Sequence, residues 1–431
     1  MNGRVTAGRA LWRRARGSAL VHNTVALYFV QFAGYLLPLA TVPYLTRVLR
    51  PGAWGVLVFS QAFAAWLAIV LHYGFAFSAT RMVARSRGDA GQVARIVSAV
   101  QGAKLLLLLG VAAASALAFL LVPLFGREPR YLVWALAAAV LQGFLPMWYF
   151  QGVERMRGIA ALDVLTRLAA AAGVFVVVRA PQDGWRVLAL QAAAGLLSAA
   201  AATAWMYREV PFRAGSPREW TAALRDGWPL FVFCGAASAY TTANSFTLGL
   251  FAGPHAAGFY GSAEKLVRAA SNLLLPVSQA LYPRINHLVV HDRPAAAALV
   301  RRSLVPIVGL GVAAGAAIAL AAPLLTRVLF GPGYEPVTAV LRILAFLPPI
   351  LAVGTVLGLN WVLPLGRDRA YVRFVLAAGA ANLLLAALLA PRYGASGMAV
   401  AAVLAEAVVE AGLCWLVLRP SSGELGLRAA G

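Results

Sequence analysis

The side chains with the clearest chemical potential are charges inside otherwise apolar runs. One run reads Gly258-Phe-Tyr-Gly-Ser-Ala-Glu-Lys-Leu-Val-Arg268 and carries Glu264, Lys265 and Arg268. Glu264 and Arg268 are four residues apart, a helical spacing at which opposite charges pair, whereas Lys265 points about 100° away. A charge at the centre of a membrane helix costs roughly 2.5–3.5 kcal/mol, so it needs a partner or an aqueous cavity. The pattern predicts a cationic wall that binds an anionic substrate, with an interfacial, snorkelling lysine as the alternative.

A stripe of polar residues in the first apolar run is a second candidate. Thr24, Tyr28, Gln31 and Tyr35 recur at helical spacing and would share one helix face. Such a stripe suits a water-filled cavity, although hydrogen bonds between helices would use the same residues. Asn244, in a later run, is a further candidate cavity residue.

Two acidic residues near the middle of the last apolar run could bind an ion. Glu406 and Glu410 are four residues apart, and no basic residue lies beside them in the sequence. This pair could take up a proton or Na⁺, or it could meet a cation from a neighbouring helix. We therefore treat Glu406, Glu410 and Glu264 as candidates for ion coupling.

No arrangement of residues in the sequence predicts catalysis. Phosphate-binding glycine loops, metalloprotease motifs and nucleophile elbows do not occur in it, and the five histidines lack metal-ligand spacing within a predicted helix. We therefore expect no catalytic residues, no metal site, no cofactor and no enzymatic activity.

The composition of the chain predicts a membrane protein. Of its 431 residues, 61% are hydrophobic and 12% are charged, whereas soluble domains contain about 25% charged residues. The formal net charge of +22 could indicate a nucleic-acid partner. The basic residues lie between apolar runs, however, and loops held on the cytoplasmic side explain them without nucleic acid.

The apolar runs predict an all-α integral membrane protein with about twelve transmembrane helices. A helical span needs about 20 apolar residues, and the runs are continuous rather than alternating, which favours helices over a barrel. The predicted spans are 22–46, 56–80, 102–123, 131–151, 159–178, 186–207, 228–250, 257–282, 304–325, 338–360, 371–390 and 396–418.

The distribution of basic residues predicts the orientation. With the N-terminus inside, 26 of the 37 Lys and Arg residues fall in segments predicted as cytoplasmic, and 8 fall outside. This bias follows the positive-inside rule and places both termini in the cytoplasm. The predicted organisation is a basic segment 1–21, a six-helix bundle 22–207, a linker 208–227, a second six-helix bundle 228–418 and a tail 419–431.

Several segments resemble one family of membrane exporters. The segment Pro43-Tyr-Leu-Thr-Arg-Val-Leu-Arg-Pro-Gly-Ala-Trp-Gly55 is similar to an arginine-leucine turn followed by an aromatic-glycine pair. Tyr73-Gly-Phe-Ala-Phe-Ser-Ala-Thr-Arg81, Gly258–Arg268 and Leu281-Tyr-Pro-Arg284 are similar to further family stretches. On these residues the chain resembles the polysaccharide (O-antigen-type) flippases of the MATE-like exporter superfamily.

The resemblance implies a fold and a function as expectations. The fold would be two six-helix bundles around a central cavity in the bacterial cytoplasmic membrane. The function would be alternating-access export of a polyprenyl-pyrophosphate-linked oligosaccharide for cell-surface polysaccharide, such as the O-antigen of lipopolysaccharide. Lys265 and Arg268 would hold the pyrophosphate, and polymerase and glycosyltransferases would be partners.

Two alternatives to this function stay open on the sequence alone. A cation-coupled exporter of small molecules with the same fold would use a compact acidic and aromatic pocket. A membrane-embedded glycosyltransferase or polymerase would need a large outer loop or paired catalytic carboxylates, and neither is evident in the sequence.

Overall fold

The computed structural model describes residues 39–242 and 244–418, and these residues are almost entirely helical. No β-strand occurs among them. The contacts divide the chain into two compact units. In the described residues, unit 1 comprises 67–179 and 185–234, and unit 2 comprises 39–66, 180–184 and 235–418.

The described helices follow one another with short connections. In chain order they are α1 (39–72), α2 (Phe75–Arg85), α3 (Ala90–Leu121), α4 (Pro123–Arg127), α5 (Pro129–Phe144), α6 (Met147–Gly152), α7 (Met156–Val177), α8 (Gly184–Glu209), α9 (Pro217–Thr242), α10 (Asn244–Asn272), α11 (Leu275–His291), α12 (Arg293–Leu325), α13 (Pro336–Leu344), α14 (Leu347–Gly354) and α15 (Asp368–Leu418). A 3₁₀ turn spans Pro181–Asp183, and π-helical segments span Thr326–Phe330 and Thr355–Val362.

The predicted all-α membrane fold is confirmed. Eight helical segments among the described residues are long and apolar enough to cross a membrane by length and composition. Two of the eight, Leu39–Arg85 and Asp368–Leu418, turn at a residue of positive φ. Asp368–Leu418 covers the predicted spans 371–390 and 396–418, and Leu39–Arg85 covers the span 56–80 and the end of the span 22–46, whose residues before 39 lie outside the described ones. The predicted seventh and eighth spans overlap the helices α9, α10 and α11.

The structure corrects the predicted boundary between the first two spans. The sequence suggested a loop of several residues after position 46, but α1 runs through this region and is interrupted only at Arg50. Arg50 has a φ of 58°, in the left-handed region. It precedes Pro51, whose ring disfavours the right-handed helical conformation at the residue before it. A single residue therefore makes the turn.

The two long helices α10 and α15 turn at glycines. Gly253 has a φ of 83° immediately before Pro254, and Gly394 has a φ of 55°. Glycine adopts these angles without a steric penalty because it has no Cβ. The turn at Gly394 falls between the predicted spans 371–390 and 396–418, as the sequence suggested.

Unit 1 is built on a core in which α2, α3 and α6 meet. Val97, Val100, Trp148 and Phe150 are fully or almost fully buried in this core. At one edge of the core Glu209 accepts hydrogen bonds from Tyr149 Oη at 2.9 Å, Arg155 Nη1 at 2.8 Å and Trp205 Nε1 at 3.1 Å. One carboxylate thereby connects α6, α8 and the turn before α7.

The linker between the predicted bundles is ordered against unit 1. Ser216 and Glu219 cap the start of α9 reciprocally: the Ser216 N–H donates to Glu219 Oε2 and the Glu219 N–H donates to Ser216 Oγ. Trp220 lies against Gly102 of α3, where a Cβ would collide with the indole. The predicted linker 208–227 is thus partly helical, because α9 begins at Pro217.

Unit 2 contains residues 39–66 in addition to the C-terminal half of the chain. The predicted first bundle, 22–207, included this segment. The difference has a physical origin in α1, where Trp54 is buried and Phe59 stacks on Phe246 of α10 with ring centroids 4.9 Å apart. Large aromatic contacts of this kind group α1 with α10.

Candidate binding site in unit 2

The site is built on α10, whose two faces carry different chemistry. Gly258, Ser262 and Lys265 recur at helical spacing on the face toward α1. Gly258 allows the close approach of the two helices, because a Cβ there would lie 2.8 Å from Gly55 Cα. A second face of α10 carries Tyr260, Glu264 and Arg268, each four residues after the last.

Lys265 is held by two uncharged groups of α1. Its ammonium donates to Gln61 Oε1 at 3.1 Å and lies 4.9 Å from the ring centroid of Trp54. Trp54 is fixed in turn, because its Nε1 donates to Ser262 Oγ at 2.8 Å and Ser262 Oγ donates to Gly258 O at 2.7 Å. Within the described residues no ion pair engages Lys265. An ammonium has three donors, so this cation can still bind an anion.

The second face forms a chain of buried and half-buried hydrogen bonds that ends at Arg268. Arg268 Nε donates to Glu264 Oε1 at 3.0 Å, and Tyr260 Oη donates to the same oxygen at 3.3 Å. Asn244 Nδ2 donates to Tyr260 Oη at 3.0 Å, and Asn382 Nδ2 of α15 donates to Asn244 Oδ1 at 2.7 Å. We name these five residues the α10 network. Its Glu264–Arg268 pair confirms the pairing that the sequence predicted.

Glu406 of α15 borders the α10 network, and Glu410 lies one helical turn beyond it. Glu406 is 5% exposed and interacts electrostatically with Arg268. The Oε2 atom of Glu410 is buried and lacks a hydrogen-bond partner among the described residues. The Glu410 carboxyl group lies against Gly354, where no room remains for a Cβ. Arg268, which Glu264 already binds, is thus also near the buried carboxyl group of Glu406.

Three predicted site residues, Tyr28, Gln31 and Tyr35, lie outside the described residues. The structure brings the other predicted residues, Lys265, Arg268, Asn244, Glu264, Glu406 and Glu410, into unit 2. Asn244 is fully buried and both ends of its amide are bonded, so it orients Tyr260 in this structure.

Four residues of this region were missed from the sequence: Trp54, Gln61, Asn360 and Asn382. Asn360 and Asn382 are buried, and both side-chain polar atoms of Asn360 and the Oδ1 of Asn382 have no partner among the described residues. A search for every amide inside an apolar run would have found Gln61, Asn360 and Asn382, because such groups are costly in lipid. The helix pairing that places Trp54 over Lys265 gives no sequence signal.

Charged side chains inside the apolar helices of a multi-span protein, as at Lys265 and Glu406, are typical of membrane transporters. Residues 20–289 match the sequence profile of the family described as "Polysaccharide biosynthesis protein". The chain belongs to this family. It is 30% identical over 397 residues to a protein named "Putative O-antigen transporter" from Escherichia coli (strain K12), covering 91% of this chain and 95% of that protein. A protein of the same name from Shigella dysenteriae is 27% identical over 399 residues, covering 90% and 97%.

Solved structures support the same fold. The lipid II flippase MurJ in an inward closed conformation aligns with a TM-score of 0.72 at 12% identity, covering 94% of this chain and 89% of that one. An outward-facing multidrug resistance MATE family transporter of the MOP superfamily aligns with a TM-score of 0.60 at 14% identity, covering 95% and 97%. The chain therefore has the fold that these multi-span transporters share.

Proposed function

We propose that this protein is a flippase that exports a polyprenyl-pyrophosphate-linked oligosaccharide by alternating access. The O-antigen transporter name of the relatives and the MurJ-like fold support this substrate class. The protein acts as a transporter rather than as an enzyme. It serves the synthesis of cell-surface polysaccharide, with glycosyltransferases and a polysaccharide polymerase as its functional partners.

The observation that carries the proposal is the environment of Lys265. A half-buried ammonium that, among the described residues, is hydrogen-bonded by an amide oxygen and faces an indole ring can offer its positive charge to a ligand. Arg268 lies one helical turn further along α10, although Glu264 binds it in this structure. A pyrophosphate group carries several acceptor oxygens and would engage both cations, since charge-assisted hydrogen bonds to phosphate are strong.

The membrane potential supplies a driving force for export in this scheme. We place both termini in the cytoplasm and the helices in the bacterial cytoplasmic membrane. Moving two negative charges outward across an inside-negative potential of about 100 mV releases about 4.6 kcal/mol. The polar head would cross beside the cations of α10 while the lipid tail stays in the hydrocarbon layer.

Ion coupling at Glu406 and Glu410 is a second part of the proposal. A proton or a monovalent cation there would neutralise carboxylates that compete for Arg268. Neutralisation of Glu406 would strengthen anion binding at Arg268, and linkage makes the effect reciprocal. Glu264 belongs to the same balance, because its carboxylate binds Arg268 in this structure.

A cation-coupled exporter of small molecules is the alternative that the structure supports best. The MATE-like fold, the buried Glu406 with the half-buried Glu410, and the aromatic residues around Phe246 favour it. In that case Lys265 would be a structural cation and an uncharged or cationic molecule would be transported.

Reconstitution into lipid vesicles tests the proposed function. Vesicles that contain a polyprenyl-pyrophosphate-linked oligosaccharide in both leaflets are treated with a membrane-impermeant glycosidase. Without transport only the outer half is cleaved, whereas the wild-type protein should make the remaining half accessible. The same vesicles loaded with a fluorescent cationic drug test the alternative. Drug export without movement of the oligosaccharide would overturn the proposal.

A further inference from the structure

An apolar groove of about 560 Å³ opens on the side of unit 2. Its walls come from α12, from the π-helical segment Thr355–Val362 with the end of α14, and from the end of α15. The volume falls within the range of roughly 300–1,000 Å³ that is typical of small-molecule sites. Val305 and Val312, on its rim, are 76% and 52% exposed, so the groove opens toward the surrounding lipid.

The groove has the length and chemistry of a hydrocarbon site. Leu304 and Val312 mark its extent along α12, about 12 Å at the helical rise of 1.5 Å per residue. One leaflet of the hydrocarbon core is about 15 Å thick. The residues along the groove are apolar, which suits a hydrocarbon chain and excludes a polar headgroup.

A positive charge continues the α12 wall of the groove at one end. Arg301, Val305, Val308 and Val312 follow at helical spacing on one face of α12, and Arg301 is exposed. Under the predicted topology this end lies at the cytoplasmic surface. An occupant with an anionic phosphate and a long hydrocarbon chain would match both parts of the groove.

The groove also lies beside the polar residue Glu410 of α15. Val353 lines the groove, and the next residue, Gly354, lies against the carboxyl group of Glu410. Cys414, another lining residue, follows Glu410 by one helical turn. A hydrocarbon chain in the groove is therefore separated by a single layer of residues from the polar groups of α15.

We propose that this groove binds the polyprenyl chain of the lipid-linked substrate as it is loaded from the cytoplasmic leaflet, with Arg301 as the first contact for its phosphate. This inference rests on the proposed function and specifies the place of the lipid tail. The chain in the groove would hold the substrate beside unit 2 while its headgroup leaves the membrane surface.

The native thiol of Cys414 provides a test that needs no change inside the groove. The chain contains two cysteines, and Cys414 is a free, half-buried thiol. A Cys234→Ser variant in lipid nanodiscs is treated with a membrane-soluble maleimide. Polyprenyl phosphate should slow the labelling of Cys414 at least about threefold, and an equal amount of phosphatidylglycerol should not. Equal labelling with both lipids, or equal protection by both, would overturn the proposal.

Filling the groove tests the same proposal in transport. Gly309 lines the groove with no atom within 4 Å of an added Cβ, and Gly110 of α3 is an equally open glycine in unit 1. Gly309→Phe should raise the KM for translocation about fivefold, whereas Gly110→Phe should stay within about twofold of wild type. An equal KM in the two variants would remove the groove from the pathway.

The two proposals can fail separately. If the wild-type protein moves no lipid-linked oligosaccharide, the proposed function fails, and labelling of Cys414 still decides whether the groove binds a polyprenyl chain. If the wild-type protein translocates the substrate but Gly309→Phe matches Gly110→Phe, only the groove proposal falls. In either case, the groove proposal is supported if polyprenyl phosphate, but not phosphatidylglycerol, slows the labelling of Cys414.

Discussion

Lys104 in unit 1 and Lys265 in unit 2 are the two lysines of the chain, and their surroundings differ. Lys104 is 1% exposed, donates to the carbonyl oxygen of Gly143 at 2.6 Å and lies over the ring of Phe144. Lys265 contacts a side-chain amide and an indole, and it neighbours the α10 network. A lysine bound to backbone joins two helices of a scaffold, whereas a lysine among movable side chains can exchange partners. The comparison predicts a structural role for Lys104 and, under the proposed function, substrate binding for Lys265.

The largest effect is expected for Lys265→Ala. Loss of the cation should reduce translocation of the lipid-linked oligosaccharide more than about tenfold, because truncating one partner of a buried charge interaction costs about 2–5 kcal/mol. Lys265→Arg, which keeps the charge, should retain much of the activity. Membrane insertion is checked by the yield of monodisperse protein in detergent. Wild-type transport by a well-inserted Lys265→Ala variant would remove Lys265 from the site.

A smaller effect is expected for the double variant Glu406→Gln/Glu410→Gln. Neutral amides remove the ion-binding carboxylates but leave the Lys265 cation in place, so translocation should fall only about threefold. Its rate should also lose most of its dependence on pH. The measurement is the translocation rate at several pH values. Complete loss of transport would show that ion binding is obligatory rather than modulatory.

Loss of transport in Lys104→Met would contradict a purely structural role for Lys104. We expect this variant to translocate within about twofold of wild type. Its free energy of unfolding should change by only about 1–2 kcal/mol, because two effects oppose each other. The carbonyl of Gly143 loses its donor, which destabilises the protein, and a charge is no longer buried, which stabilises it. Thermal unfolding and translocation of the same preparation separate the two effects. A large loss of transport at unchanged stability would give Lys104 a functional role.

The smallest effect is expected at the start of α9, outside the membrane. Hydrogen bonds from the Ser216 N–H and from Arg213 hold the pKa of Glu219 below its ordinary value of 4.5. A lowered pKa contributes stability above about pH 4.5, and this contribution is lost as the pH falls through the lower folded value. Glu219→Gln should therefore lower Tm slightly at pH 7. At a pH well below the lowered folded pKa of Glu219, the variant and the wild type should unfold at nearly the same temperature.

The features that could be predicted from the sequence depend on interactions between residues that are close together in the chain. Continuous apolar runs require helices in lipid, and the spacing of Glu264 and Arg268 requires a pair, so both expectations were confirmed. The turn at Arg50 was missed because a single left-handed residue leaves no polar loop. Gln61 and Trp54 were missed as partners of Lys265, because the packing of α1 on α10 joins residues about 200 positions apart.

The most direct test of pyrophosphate binding by Lys265 is the affinity of the purified protein for polyprenyl pyrophosphate. The wild type, Lys265→Ala and Lys104→Met are compared in lipid nanodiscs, and Kd is measured at fixed ionic strength. If Lys265 binds the pyrophosphate, Lys265→Ala raises Kd more than about tenfold and Lys104→Met leaves it within about twofold. Equal affinities for all three proteins would contradict the assignment of Lys265 to the pyrophosphate.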